Sequence, residues 1–330
     1  MERETADPIL PAAEPVAPLR RGDAVSIIAP ASPFAREKFE RGLQALRAMG
    51  LEPRFDESLF SRWPLAAEAA PAEGKPADPG YLAGDDARRL GELRAALLDP
   101  DTRLLVLARG GYGSLRIAPQ LPPAEVRAAG KLLLGYSDAT VLHQLWAQAG
   151  VPSLHGPMCT QLGDDLDARL RLGCLLFGKV QPPIAWEPMH LAGAPAGRAR
   201  GILRGGNLAT LASLCGTPLQ PQFAGCLVLL EDLNEPPYRL DRLCTQLLQS
   251  GAFAGARGFV IGDLWGPNES SQGRAEVVAE RLAGLGVPLA FGAPFGHADR
   301  NRPVAFGCEH ELDAGAGTLA PLQSPTRLIS

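Results

Sequence analysis

The stretch Gly135-Tyr136-Ser137-Asp138 follows a short apolar run and leads into an apolar, helix-spaced segment. A serine hydroxyl is a weak nucleophile, so a hydrolase must expose it, set a base beside it and supply donors for an oxyanion. A tight turn between strand and helix meets the first and third needs together. It lifts the Ser137 side chain out of the sheet and aims free backbone N–H groups at the same point. Gly135 permits the close approach, and the N–H of Asp138 is a candidate donor. The plainer alternative is that Ser137 or Asp138 caps the following helix, the commoner role for such a residue.

Three further stretches could serve the same chemistry. In Arg109-Gly110-Gly111-Tyr112-Gly113, adjacent glycines let backbone amides face a cleft, as an oxyanion or carboxylate site needs, or simply make a turn. The run lacks both the dinucleotide-binding glycine spacing and the lysine ending of a P-loop. Glu231 opens the acidic cluster EDLNE at the end of an apolar run, where a carboxylate can orient a histidine and stabilise its imidazolium, or merely face water. His297, in FGHADRN, is the candidate base. The other histidines are His143, His155, His190 and His310; no pair has metal-site spacing, so neither metal nor cofactor is expected. His143 reads as structural and His310, between two glutamates, as a surface residue.

The elements that must position these groups follow from apolar spacing. Strands are expected at 23–28, 51–55, 104–107, 132–134, 227–230, 259–261 and 289–291, with helices at 37–49, 85–98, 238–251 and 273–285. Alternation of this kind predicts an α/β fold, with an N-terminal parallel sheet of flavodoxin-like or Rossmann-like type covered on both faces. Ligands of such a sheet collect outside the carboxyl ends of its strands. A smaller C-terminal domain completes the chain. The expected divisions are a disordered lead-in over 1–21, a nucleophile domain over 22–160, an irregular linker over 161–198, and a second domain over 199–330 carrying the carboxylate and histidine. The Ala-, Pro- and Glu-rich stretch 63–79 reads as a surface excursion.

Composition narrows the partners. With 330 residues and a formal net charge of -4, the chain offers no electrostatic reason to bind nucleic acid or an anionic membrane. No segment approaches the roughly 18 uninterrupted apolar residues of a membrane span, and the N-terminus lacks the basic start and apolar core of a signal peptide. A cytoplasmic location is the expectation that follows. The six cysteines form no CxxC pair and read as free thiols.

Seven ordered blocks of the chain resemble the LD-carboxypeptidases, also called muramoyltetrapeptide carboxypeptidases, a family of serine peptidases. They are IIAPASP, the long run from YLAGDD to ARGGYGSLRI, LLGYSDATVLH, HGPM, LRGGNLATL, LLEDLNEPPYRLDRLCTQL and FGAPFGHADRN, spanning about Gly22 to Thr318. The resemblance implies Ser137 as nucleophile, Glu231 (ahead of Glu235) as triad carboxylate and His297 as general base. It implies an oxyanion hole from the amides of Asp138 and Gly111, with Gly110 a further candidate. It also implies a homodimer, a C-terminal domain with a β-rich core, and a murein tetrapeptide as substrate, losing its terminal D-alanine in cell-wall recycling. From charge, Arg109 is a candidate for the free terminal carboxylate, and Tyr112 in the same turn is taken with it as substrate-binding.

Other readings compete. One branch of the family resembles microcin-immunity proteins, which cleave an acyl-nucleotide and hold its base against an aromatic residue; Trp186 is the candidate for that, or else a tryptophan packed on the domain surface. A non-catalytic two-domain binding protein is the alternative from another class. An α/β-hydrolase esterase shares the Ser, Glu, His order, but GYSDAT lacks the second glycine of its nucleophile motif.

Overall fold

Leu104, Val106, Leu132 and Leu134 pack into one apolar core while their neighbours Leu105, Leu107 and Leu133 pack into another. Side chains on a strand alternate between faces, so a run that is apolar at every position belongs to a strand buried on both. The computed structural model of the protein, which describes residues 10–63, 80–266, 271–298 and 300–328, has this arrangement. Strands β1 (Ala24–Ile28), β2 (Glu52–Arg54), β3 (Thr102–Leu107), β4 (Leu132–Gly135) and β5 (Ser153–His155) form a parallel sheet in the order 2-1-3-4-5. That is the flavodoxin-like order, with its ligand edge at the carboxyl ends of β1, β3 and β4. The expected APASP, RGGYG and GYSD turns all lie on that edge.

The second half builds its own sheet. It comprises β6 (Ile184–Ala185), β7 (Arg198–Asn207), β8 (Cys226–Leu233), β9 (Gly258–Trp265) and β10 (Leu289–Phe291). Next in the chain comes β11 (Val304–Phe306), which leaves this sheet and pairs antiparallel with β5, closing the first sheet with a strand from the far end of the chain. Strands β12 (Glu309–Asp313) and β13 (Thr318–Pro321) complete the second sheet in the order 10-9-8-7-12-13-6, parallel from β7 to β10 and antiparallel beyond.

Three readings are corrected. The lead-in is not loose over its described part: Ala13 N donates to Gly307 O, Val16 N to Pro325 O and Leu19 N to Leu176 O, and the buried Arg204 donates to the carbonyls of Leu10 and Pro11. Residues 1–9 lie outside the described part of the chain, as does nearly all of the expected 63–79 excursion. The stretch 161–198 is not irregular throughout. A helix at Leu166–Leu176, capped by Asp165, adds Leu172, Leu175 and Leu176 to the first core. His310 is buried, at 1% exposure, because β12 alternates and places it on the same face as Leu312. Its Nδ1 pairs with Cys308 O at 3.0 Å, and burial lowers its pKa to about 4.

The two halves meet where the helix Thr140–Ala149, just past Ser137, touches the end of β7. Asn207 N donates to Thr140 Oγ1 at 2.9 Å. Gly206 lies at φ +133°, and a Cβ there would stand 2.4 Å from the same oxygen. At Gly205 a Cβ would stand 1.9 Å from Leu229 O. The two glycines let β7 approach both β8 and the helix Thr140–Ala149, so Gly205→Ala is expected to destabilise the protein by about 3 kcal/mol or more. Chemical denaturation measures this.

Candidate active site

Ser137 lies just past β4 with φ +61°, one of two non-glycine residues in the left-handed region among those described. A side chain held there costs on the order of 1–3 kcal/mol and persists only where the surroundings over-determine it. Gly110 is part of that surrounding: a Cβ on it would stand 3.1 Å from Ser137 Cβ and 3.2 Å from Oγ. The strain and the bare glycine together present the hydroxyl in a cleft of about 510 Å³. Ser137, Gly110, Gly111, Arg109, Tyr136, Gln161 and His297 are among the residues lining it. The N-cap positions of the single turn Ser137–Ala139 and of the helix that follows it are Tyr136 and Ala139, so neither Ser137 nor Asp138 holds the capping place.

Glu231 sits in β8, fully buried, at the point where the β8–β9 register shifts. Its Oε2 lies 2.7 Å from His297 Nδ1. His297 belongs to the loop between β10 and β11, and that loop is fixed on several sides. Ala298 N donates to Asp263 Oδ2 at 2.8 Å and Gly296 N to Asn301 Oδ1 at 3.3 Å. Gly296 is at φ +118°, and a Cβ there would stand 3.1 Å from Glu231 Oε2. Tyr136 packs against the imidazole, with ring centroids 4.8 Å apart and planes inclined by 54°. Burial alone would lower the His297 pKa; the hydrogen bond and charge of Glu231, helped by Asp232 and Asp263, outweigh it and raise the value.

Asp138 is buried with Oδ2 accepting from Ser114 N at 2.9 Å, which ties the serine turn to the end of the RGGYG turn. Burial raises its pKa. Arg109 Nη1 donates to Pro33 O at 2.6 Å. Tyr112 is not among the cleft-lining residues: it is half exposed, beside Tyr81. Trp186 lines a different cleft, with Arg171, Arg300 and Arg302, and this shares no residue with the Ser137 cleft. His143 is buried and bonded to Ser153 Oγ and Gly135 O, as a structural histidine would be. All six cysteines are free, four of them buried.

Sequence reasoning missed the residues that hold the site in place. Asn207 caps its helix and bonds Asp232, whose carboxyl is pushed up to about 7 by burial and by the charge of Glu231. Asp263 and Asn301 pin the histidine loop. Asn301 ends the FGHADRN block, so it was visible but had no assigned task; Asp263 stands alone in β9 and gave no signal. No group of three or more His, Cys, Asp or Glu among the described residues could hold a metal, and no described helix is long and apolar enough to cross a membrane.

Family models of the LD-carboxypeptidase N-terminal and C-terminal domains match residues 25–156 and 200–312. A Streptomyces coelicolor chain bearing a carboxypeptidase name is 38% identical over 91% of this chain and 94% of its own. The murein tetrapeptide carboxypeptidase of Pseudomonas aeruginosa is 32% identical over 86% of this chain and 91% of its own. The chain belongs to the LD-carboxypeptidase family. It is therefore a serine-type carboxypeptidase. The muramoyltetrapeptide carboxypeptidase of Oxalobacter formigenes superimposes with a TM-score of 0.72 at 26% identity, covering 90% of this chain and 97% of that one. MccF bound to glutamyl sulfamoyl guanosine shares the fold, at a TM-score of 0.77 and 20% identity over 95% of this chain and 99% of that one.

The electrostatics make a direct prediction. By NMR titration, the His297 ring of the wild type should have a pKa above the ordinary 6.5, and Glu231→Gln should lower it, since burial is then opposed only by the more distant acids. Stability contributed by this raised pKa is fully present below about 6.5 and is lost as pH rises through the folded value.

Proposed function

We propose that this LD-carboxypeptidase removes the terminal D-alanine from murein tetrapeptides, with Ser137 as nucleophile, His297 as general base and Glu231 as the carboxylate that orients it. The observation that carries the reading is the buried Glu231–His297 hydrogen bond of 2.7 Å, made beside the cleft into which a left-handed Ser137 projects. The names of the Pseudomonas and Oxalobacter relatives support the substrate class. A role in cell-wall recycling, a cytoplasmic location and a homodimer go with the same reading.

Glu231 holds Nδ1, so Nε2 is the ring nitrogen left for proton transfer. In the proposed sequence Ser137 Oγ attacks the scissile carbonyl carbon while Nε2 takes its proton. Collapse of the tetrahedral species expels D-alanine, whose amine receives that proton from His297. Water then attacks the Ser137 ester carbon and gives a proton to Nε2; collapse breaks the Oγ–C bond, Nε2 returns that proton to Ser137 Oγ, and the shortened peptide leaves as a carboxylic acid. The N–H of Asp138 and those of Gly110 and Gly111 are the candidate oxyanion donors, since both turns border the Oγ. Arg109, on the cleft wall, is the candidate cation for the anionic substrate. Tyr112 is left without a role.

Cleavage of an acyl-nucleotide is the weaker reading, because Trp186 lies in another cleft and the MccF likeness extends only to the fold. Mass spectrometry of a murein tetrapeptide incubated with the protein tests the proposal. The wild type should release D-alanine and Ser137→Ala should not. Glu231→Gln should keep the fold but lose about 10⁴ in rate, the scale seen when a triad carboxylate is neutralised. Release of D-alanine by Ser137→Ala would exclude the proposed nucleophile.

A further inference from the structure

Tyr136 immediately precedes the nucleophile and is almost wholly buried, at 3% exposure, yet it borders the catalytic cleft. Its ring supports His297, and its hydroxyl lies 2.5 Å from Gln161 Nε2. The direction of that hydrogen bond is fixed from the other end of the amide. Gln161 Oε1 accepts from Met158 N at 3.3 Å, inside the first turn of a short helix, Cys159–Leu162. Flipping the amide would set an NH₂ group against that N–H, so Nε2 must face the phenol. The phenol oxygen is then the acceptor. Its own hydrogen has no acceptor among the described residues, in a cleft whose other edge is the nucleophile.

The position of that hydrogen has a chemical consequence. His297 must protonate the departing amine, so the departing residue has to lie on the histidine side of Ser137. Tyr136 packs against that same histidine. A carboxypeptidase must recognise the free carboxylate of the departing residue, and a hydrogen bond from a neutral donor to a carboxylate is among the stronger protein contacts. We propose that the Tyr136 hydroxyl, oriented by Gln161, donates its free hydrogen to the terminal carboxylate of the substrate and so helps to restrict the enzyme to unblocked peptide ends. The inference rests on the carboxypeptidase reading above. Burial pushes the phenol pKa up to about 12, which keeps the hydrogen in place across the working range.

The test compares kcat and KM for two substrates, a murein tetrapeptide ending in D-alanine and the same peptide ending in D-alaninamide. The wild type should prefer the free acid. Tyr136→Phe keeps the ring against His297, and the acid-to-amide preference in kcat/KM should fall by about tenfold or more, mainly through KM for the acid. Gln161→Met, which removes the amide that turns the hydroxyl, should shift the preference in the same direction; it supplies the reading should Tyr136→Phe fold poorly. An unchanged preference in both variants, or equal losses on both substrates, would overturn the assignment of Tyr136 alone. Wild-type protein that releases no D-alanine would overturn the tetrapeptide reading, and this inference with it.

Discussion

The candidate site is organised around one buried contact, that of Glu231 with His297. Glu231 has no exposed surface, and a carboxylate in that position is tolerated only with a partner of matching geometry. His297 is that partner, at 2.7 Å. The hydrogen bond and charge of Glu231 raise the basicity of the imidazole against the burial that would lower it. The geometry of the proposed catalytic pair thus rests on this one contact.

A serine on one half and a histidine on the other can work together only if the halves do not drift. Three features prevent it. Strand β11 crosses from the second half into the first sheet, with Val304 paired to His155. The described N-terminal segment runs between Gly307, Pro325, Leu176 and Arg204, touching both halves. At the centre, the bare Gly206 leaves room for Thr140, the first residue of the helix after the Ser137 turn, to bond the backbone of Asn207. The LRGGN block is therefore a joint, whose glycines exist for close approach and not for a ligand.

Much of this was legible beforehand for physical reasons. Strands β3 and β4 are apolar at nearly every position, which only a doubly covered strand explains. The Asp85 cap announces its helix: its carboxylate accepts from Arg88 N at 2.8 Å. The turns holding Ser137 and the RGG glycines fall at strand ends because a buried strand must be followed by polar or flexible residues. What could not be read depends on contacts distant in sequence. Nothing local distinguishes Asp263 from any other acidic residue on a strand; its role comes from a hydrogen bond to Ala298. His310, flanked by glutamates, looked exposed until strand alternation assigned it to the Leu312 face. The helix at 166–176 was hidden by its proline-rich sequel, and the fixed lead-in by its prolines, which suit an extended segment held by its neighbours as well as a loose one.

The account stands on a nucleophile activated by a histidine from the other half, and covalent trapping tests that claim most directly. The protein would be treated with a fluorophosphonate, and the adduct located by intact mass and peptide mapping. The prediction is a single adduct on Ser137 in the wild type, with labelling at least about a hundredfold slower in a folded His297→Ala variant. An adduct on another residue, or equal labelling of Ser137 without His297, would contradict it.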